Sequence, residues 1–166
     1  MKEYPLDCRP GSVPRSVSQI PFFREVDPAL IEKLLPSVTV LDCEAGDIIT
    51  SEGDDDQTLH FLLKGRVRVK KDGTIIGAMA EPGTLFGEVA LLKDGPRTAT
   101  LVAEDHVYCL RVKSGFLNTL SVAEQHAFSA ILYRFLARLL ADRLDKTSIK
   151  LARAEQMFAE ERAKHS

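Results

Sequence analysis

The chain has 166 residues, 45% hydrophobic and 28% charged, the balance of a globular domain with an extension rather than of a disordered or fibrous chain. Its formal net charge of −2 excludes the strongly basic footprint of a nucleic-acid-binding module. Cys8, Cys43 and Cys109 lie far apart and are odd in number, which excludes paired zinc-ligand spacing and a disulfide framework; they read as reduced thiols of a cytoplasmic protein.

Residues 1–19 carry charges and three prolines in place of an apolar core, so they read as an extended arm and not as a signal peptide. Ile20-Pro21-Phe22-Phe23 opens an apolar patch. Asp27-Pro28 is a helix start, Asp as cap and Pro at the first helical position; the helix runs through Leu30, Ile31 and Leu34 and stops at Pro36. From Val38 to Val112 short apolar runs alternate with turns at Gly46, Gly53, Gly65, Asp72-Gly73, Pro82-Gly83 and Gly95-Pro96. The runs are Val38 to Leu41, Asp47 to Thr50, Leu59 to Leu63, Val67 to Lys70, Thr74 to Ile76, Thr100 to Val102 and Val107 to Val112. Arg66 to Lys70 alternates strictly, which wets one face and buries the other, and Lys71-Asp72-Gly73 reads as a tight hairpin. Many short strands at this spacing predict a sandwich, jelly roll or barrel.

Ser114 to Leu120 suits a short helix, and residues 122–161 contain neither Gly nor Pro and predict a long one. Phe128, Ile131, Leu132, Phe135, Leu136 and Leu139 form a broad stripe of the kind that packs on a core. Leu140, Leu144, Thr147, Leu151, Ala154 and Phe158 alternate four and three apart, a coiled-coil seam that predicts a homodimer through this helix. A helix folded back as a monomer is the alternative. The longest apolar stretch, 127–141, is interrupted by Arg134 and Arg138 and falls short of the about 20 residues a membrane span needs, so no membrane insertion is expected.

The informative stretch is Phe86-Gly87-Glu88-Val89-Ala90-Leu91-Leu92-Lys93-Asp94-Gly95-Pro96-Arg97-Thr98-Ala99-Thr100. Gly87 lets a backbone come close to a ligand, and the N–H groups of the turn it opens suit an anion. Arg97 adds a planar, permanently charged fork matched to a phosphate, and Glu88 can accept hydrogen bonds from a hydroxyl. Those chemistries together describe a ribose phosphate. Taken alone, Glu88 and Arg97 could equally be a structural ion pair.

The stretch closely resembles the phosphate-binding cassette of the cyclic-nucleotide-binding domain family, Phe-Gly-Glu-x-Ala-Leu, a short spacer, then Pro-Arg-x-Ala-Thr. Every fixed position is present, Gly46, Gly53, Gly65 and Gly83 fall at the family's strand turns, and the likeness covers roughly residues 20–148. The resemblance implies an α+β fold: an antiparallel β-roll, jelly-roll-like (a double-stranded β-helix), flanked by an N-terminal helical segment and a long C-terminal helix. It implies an arm over 1–19, the roll with short helices over 20–120, and over 121–166 a helix that dimerises and caps the ligand. The ligand would be cAMP or cGMP, with no further cofactor, no metal and no catalysis. Phe86, Gly87, Glu88, Val89, Ala90, Arg97, Thr98 and Ala99 would line its phosphate and ribose, Arg97 pairing with the cyclic phosphate and Glu88 accepting from the ribose 2′-hydroxyl. Backbone N–H groups of Gly87, Glu88 and Ala99 would complete the cradle.

Thr98 permits guanine without requiring it. Arg143 to Ser148 resembles the stretch of the bacterial catabolite activator protein family whose Thr-Ser pair contacts adenine across the dimer, which places Thr147 and Ser148 among the ligand residues and tilts the expectation toward cAMP. A threonine in a seam also sets register. That family continues into a helix-turn-helix, whereas a charged tail from Glu155 follows here, so no direct DNA binding is expected. The start at Met1 favours a stand-alone sensor acting on another, unidentified protein over an excised domain, with output by movement of the C-terminal helix. Two rival readings are a metal-dependent, cupin-like jelly-roll enzyme, which needs clustered interior ligands that His60, His106, His126 and His165 do not provide by spacing, and a degenerate roll that only dimerises.

Overall fold

The computed structural model describes residues 1–6, 13–89 and 94–164. It divides into two units, Met1–Phe128 and Ser129–Ser166. The second is the continuation of one long helix, α4 (Val122–Lys164), beyond Phe128.

Among its described residues the first unit holds nine strands: β1 (Lys2–Pro5), β2 (Val38–Cys43), β3 (Ile48–Thr50), β4 (Leu59–Lys64), β5 (Val67–Lys71), β6 (Thr74–Met79), β7 (Leu85–Phe86), β8 (Thr100–Ala103) and β9 (Val107–Val112). They form two antiparallel sheets, ordered β1-β2-β9-β4-β7 and β3-β8-β5-β6. The core lies between them: Leu41, Leu62 and Phe86 from one sheet meet Val67, Leu101 and Ala103 from the other in one buried cluster. This is the expected antiparallel β-roll with flanking helices.

Local chemistry sets the turns. At the hairpin, Lys71 pairs with Thr74 across Asp72 and Gly73, whose φ values of 48° and 75° give a two-residue turn of the twist that strand pairs favour. Val67 is buried, and Val69, two residues on, packs on the same cluster, as strict alternation demands. Leu59 to Leu62 of strand β4 are buried on both faces, so the strand does not alternate, and its His60 is buried among the apolar side chains. Leu62 enters the interior, while Phe61 faces the helical side, its ring 5.5 Å from Phe22 and 5.0 Å from Phe23.

Two short helices, α1 (Arg15–Ser18) and α2 (Pro21–Arg24), precede α3 (Pro28–Leu34). Asp27 caps α3 by accepting the Ala29 N–H at 2.8 Å, Pro28 sits in its first turn, and Pro36 follows in a 3-10 turn. Ser114–Thr119 is likewise a 3-10 helix. Helix α4 opens on a reciprocal cap: Ser121 Oγ accepts the Glu124 N–H at 3.3 Å and Glu124 accepts the Ser121 N–H at 2.9 Å. Glu124 is also paired with Lys33 of α3. Phe128, the part of the broad stripe in this unit, packs edge-on against Phe22 and Phe116.

In the arm, Lys2–Pro5 is an edge strand on β2, locked by Thr39 Oγ1 donating to Glu3 at 2.6 Å and by Arg111 donating to Glu3 at 3.2 Å. Cys8 lies outside the described residues. In the second unit, the seam residues Leu144, Leu151 and Phe158 are exposed. Among the described residues, no helix is long and apolar enough to cross a membrane.

Candidate functional site

Arg97 organises the site. Its side chain is buried, and its guanidinium bonds inward: Nη1 donates to the Gly87 carbonyl at 2.8 Å, and Nη2 to the Thr58 carbonyl at 2.7 Å, to Thr58 Oγ1 at 3.0 Å and to Asp56 at 2.9 Å. Its Nε–H is buried with no partner among the described residues. A buried donor left so is costly, about 1–3 kcal/mol, unless an acceptor arrives.

Burial by itself would raise the Asp56 carboxyl, but the Arg97 guanidinium and the Thr58 donors outweigh it and hold the group below the usual carboxylate range. Thr58 gives Asp56 both its N–H and its hydroxyl at 3.0 Å. Asp56 and Thr58 are therefore built to carry Arg97, and neither is visible in the cassette pattern.

Gly87 has φ +86°, and a Cβ there would stand 2.5 Å from Arg97 Nη1 and 2.9 Å from the Thr58 carbonyl. The close approach that makes it glycine is thus made first by the chain's own arginine. The next residues, 88 and 89, are helical. Glu88 is 1% exposed and engages other groups. Behind the turn, Phe86 in β7 stacks on His60 of β4, ring centroids 5.1 Å apart and planes within 6°. Burial, then the nearby Arg97 charge, push the His60 imidazole down to about 3, so it is neutral at ordinary pH.

The far end of the segment is tied to the 52–57 loop. Gly53 donates to the Arg97 carbonyl and Arg97 to the Asp54 carbonyl, each at 2.8 Å. Gln57 donates to Asp94 at 3.0 Å and the Glu52 N–H to Thr100 Oγ1 at 2.9 Å.

The first unit thus brings Phe86, Gly87, Glu88 and Arg97 together and leaves Val89, Thr98 and Ala99 half-buried beside them. Ala90 lies outside the described residues. Thr147 and Ser148 belong to the second unit, exposed on α4, where Thr147 Oγ1 donates to the Arg143 carbonyl at 2.8 Å. Asp42, Glu44 and His106 bring potential metal-ligand atoms within 4.8 Å of one another, but they are exposed or half-exposed, whereas the rival enzyme needs ligands inside the roll.

Two antiparallel sheets closed over an apolar interior, with a buried arginine held against a glycine turn, define a β-roll as the class. The chain belongs to the cyclic nucleotide-binding domain family, whose model matches residues 40–122. It is 37% identical over 94 residues to the acetyltransferase Pat of Mycolicibacterium smegmatis, covering 55% of this chain and 28% of that protein. It is 34% identical over 92 residues to the cAMP-dependent protein kinase regulatory subunit of Yarrowia lipolytica, covering 55% of this chain and 24% of that one. The chain therefore spans about a quarter of the length of these relatives. The structure of the Thermus thermophilus catabolite activator protein resembles it with a TM-score of 0.58 at 27% identity, covering 79% of this chain and 61% of that chain.

Proposed function

We propose that this chain binds a cyclic nucleotide in the segment 86–100 as a non-catalytic regulatory module of the cytoplasm. One observation carries the reading: the Arg97 Nε–H is a buried donor without an acceptor among the described residues, in a cassette where a phosphate would supply one. The guanidinium is already oriented by Asp56, Thr58 and Gly87, so an arriving anion finds it pre-aimed. Glu88 accepts from the ribose 2′-hydroxyl, and Gly87, Glu88 and Ala99 offer backbone N–H groups to the phosphate.

The adenine base is preferred over guanine, a reading supported by the resemblance at Thr147 and Ser148, with Thr98 able to accept either. The exposed seam of α4 pairs with a second copy, and the signal leaves through movement of that helix toward a downstream protein. For such an output the ligand must bind one helix position better than the other.

Calorimetric titration of cAMP, cGMP and 2′-deoxy-cAMP tests this. Arg97→Ala should weaken binding by about 2–5 kcal/mol, since the phosphate loses its buried partner. Because Arg97 also ties Thr58 to Gly87, Arg97→Lys is the control: it keeps the charge but not the fork, and should bind more weakly than wild type while remaining folded. The deoxy ligand should bind poorly, since the hydrogen bond from the ribose 2′-hydroxyl to Glu88 is lost. Unchanged affinity in both Arg97 variants would overturn the site, and a clear preference for cGMP would reverse the base order. Wild-type protein that binds none of these, yet purifies with stoichiometric iron, manganese or zinc, would favour the enzyme.

A further inference from the structure

The β5–β6 hairpin reaches the back of the cassette. Lys71 Nζ donates to the Thr98 carbonyl at 2.9 Å and pairs with Glu52 at 2.8 Å. The other Glu52 oxygen accepts the Asp72 N–H of the hairpin turn at 2.9 Å. Glu52 thus fastens both the lysine and the turn that presents it, and its own N–H grips Thr100 at 2.9 Å. The pairing raises the Lys71 ammonium above its usual value and holds the Glu52 carboxylate below its own, so both are charged across neutral pH.

The Thr98–Ala99 peptide is planar and trans, so its carbonyl and its N–H point in opposite directions. A cation on the Thr98 oxygen therefore turns the Ala99 N–H away from the hairpin and draws electron density from it, making it the stronger donor. Charge-assisted hydrogen bonds of this kind are the strong ones.

We propose that Lys71, braced by Glu52, is a positioning residue that orients and polarises the Ala99 N–H for the cyclic phosphate, a role that rests on the nucleotide-binding reading above. It touches the Thr98 carbonyl and acts on the ligand only through that peptide.

The test uses the full chain. Lys71→Met should weaken both cAMP and cGMP about tenfold, as expected for losing a hydrogen bond to a charged group. Lys71→Arg, which keeps the cation on the carbonyl, should restore binding to within a few-fold of wild type. The amide resonance of Ala99 in the free protein should move in the methionine variant and return in the arginine variant, and the melting temperature of the free protein should stay near wild type in both, which separates lost positioning from lost structure. Methionine-variant binding equal to wild type, an equal loss in both variants, or an unmoved Ala99 resonance would overturn the proposal. No binding by wild type would overturn the site and the clamp together, whereas wild-type binding with an unaffected methionine variant overturns the clamp alone.

Discussion

Replacing His60 with Phe should flatten the acid side of the stability profile. The imidazole is 1% exposed, stacked on Phe86, with Nδ1 lacking a partner among the described residues. In the folded chain it is pushed down to about 3 from its usual 6.5. Below pH 6.5 the unfolded chain takes up a proton that the folded chain refuses. The stability His60 contributes is therefore fully present above pH 6.5 and is lost as pH falls from there toward 3. Each pH unit in that window is worth about 1.4 kcal/mol, so going from pH 7 to pH 5 should remove about 2 kcal/mol through this one residue. Phenylalanine fills a similar slab against Phe86 and does not titrate. Urea unfolding of both proteins at pH 7 and pH 5 measures the difference, and carboxylates common to both, Asp56 included, cancel to first order. The wild type should lose about 2 kcal/mol more than His60→Phe. Parallel losses would refute the buried, neutral histidine.

Gly87→Ala forces a side chain into a φ of +86° and against Arg97 and the Thr58 carbonyl, and should destabilise by about 1–3 kcal/mol in thermal unfolding. Asp56→Ala removes the counter-charge of buried Arg97; denaturant titration should show a loss of about 1–3 kcal/mol, and cAMP should raise the melting temperature more than in wild type, because a bound phosphate restores the missing charge. On the proposed pairing of α4 with a second copy, Leu151→Glu places a carboxylate in the seam, and sedimentation should show wild type as a dimer and the variant as a monomer with the fold of the first unit unchanged.

The cassette was readable because its chemistry is contiguous: Gly87, Glu88 and Arg97 lie within one short segment. The hairpin at Asp72-Gly73 and the cap at Asp27 were readable for the same reason, each being a local backbone demand met by a local residue. What supports Arg97 was not readable. Asp56 and Thr58 lie about forty positions away, and only the pairing of β4 with β7 and the folding of the 52–57 loop bring them beneath the guanidinium. Strand β1 escaped because all four of its residues are exposed and one is Pro5, so no alternation marks it. It is recruited by β2, not by its own periodicity. The sequence marks Gly87 as a point of close approach to a ligand, yet the nearest atoms are those of Arg97 and Thr58.

Cys43 and Cys109 sit on neighbouring strands, both fully buried in the interior cluster, with desolvation as the first cause pushing their thiols up to about 11 and about 12. A thiol so placed has almost no thiolate at neutral pH and no route to a reagent while the sheets are closed. Alkylation at these two positions can proceed only through an opening of the roll. Read by peptide mapping, its rate is a clock inside the molecule: it counts how often the interior is breached, and by how much a bound ligand slows that breathing.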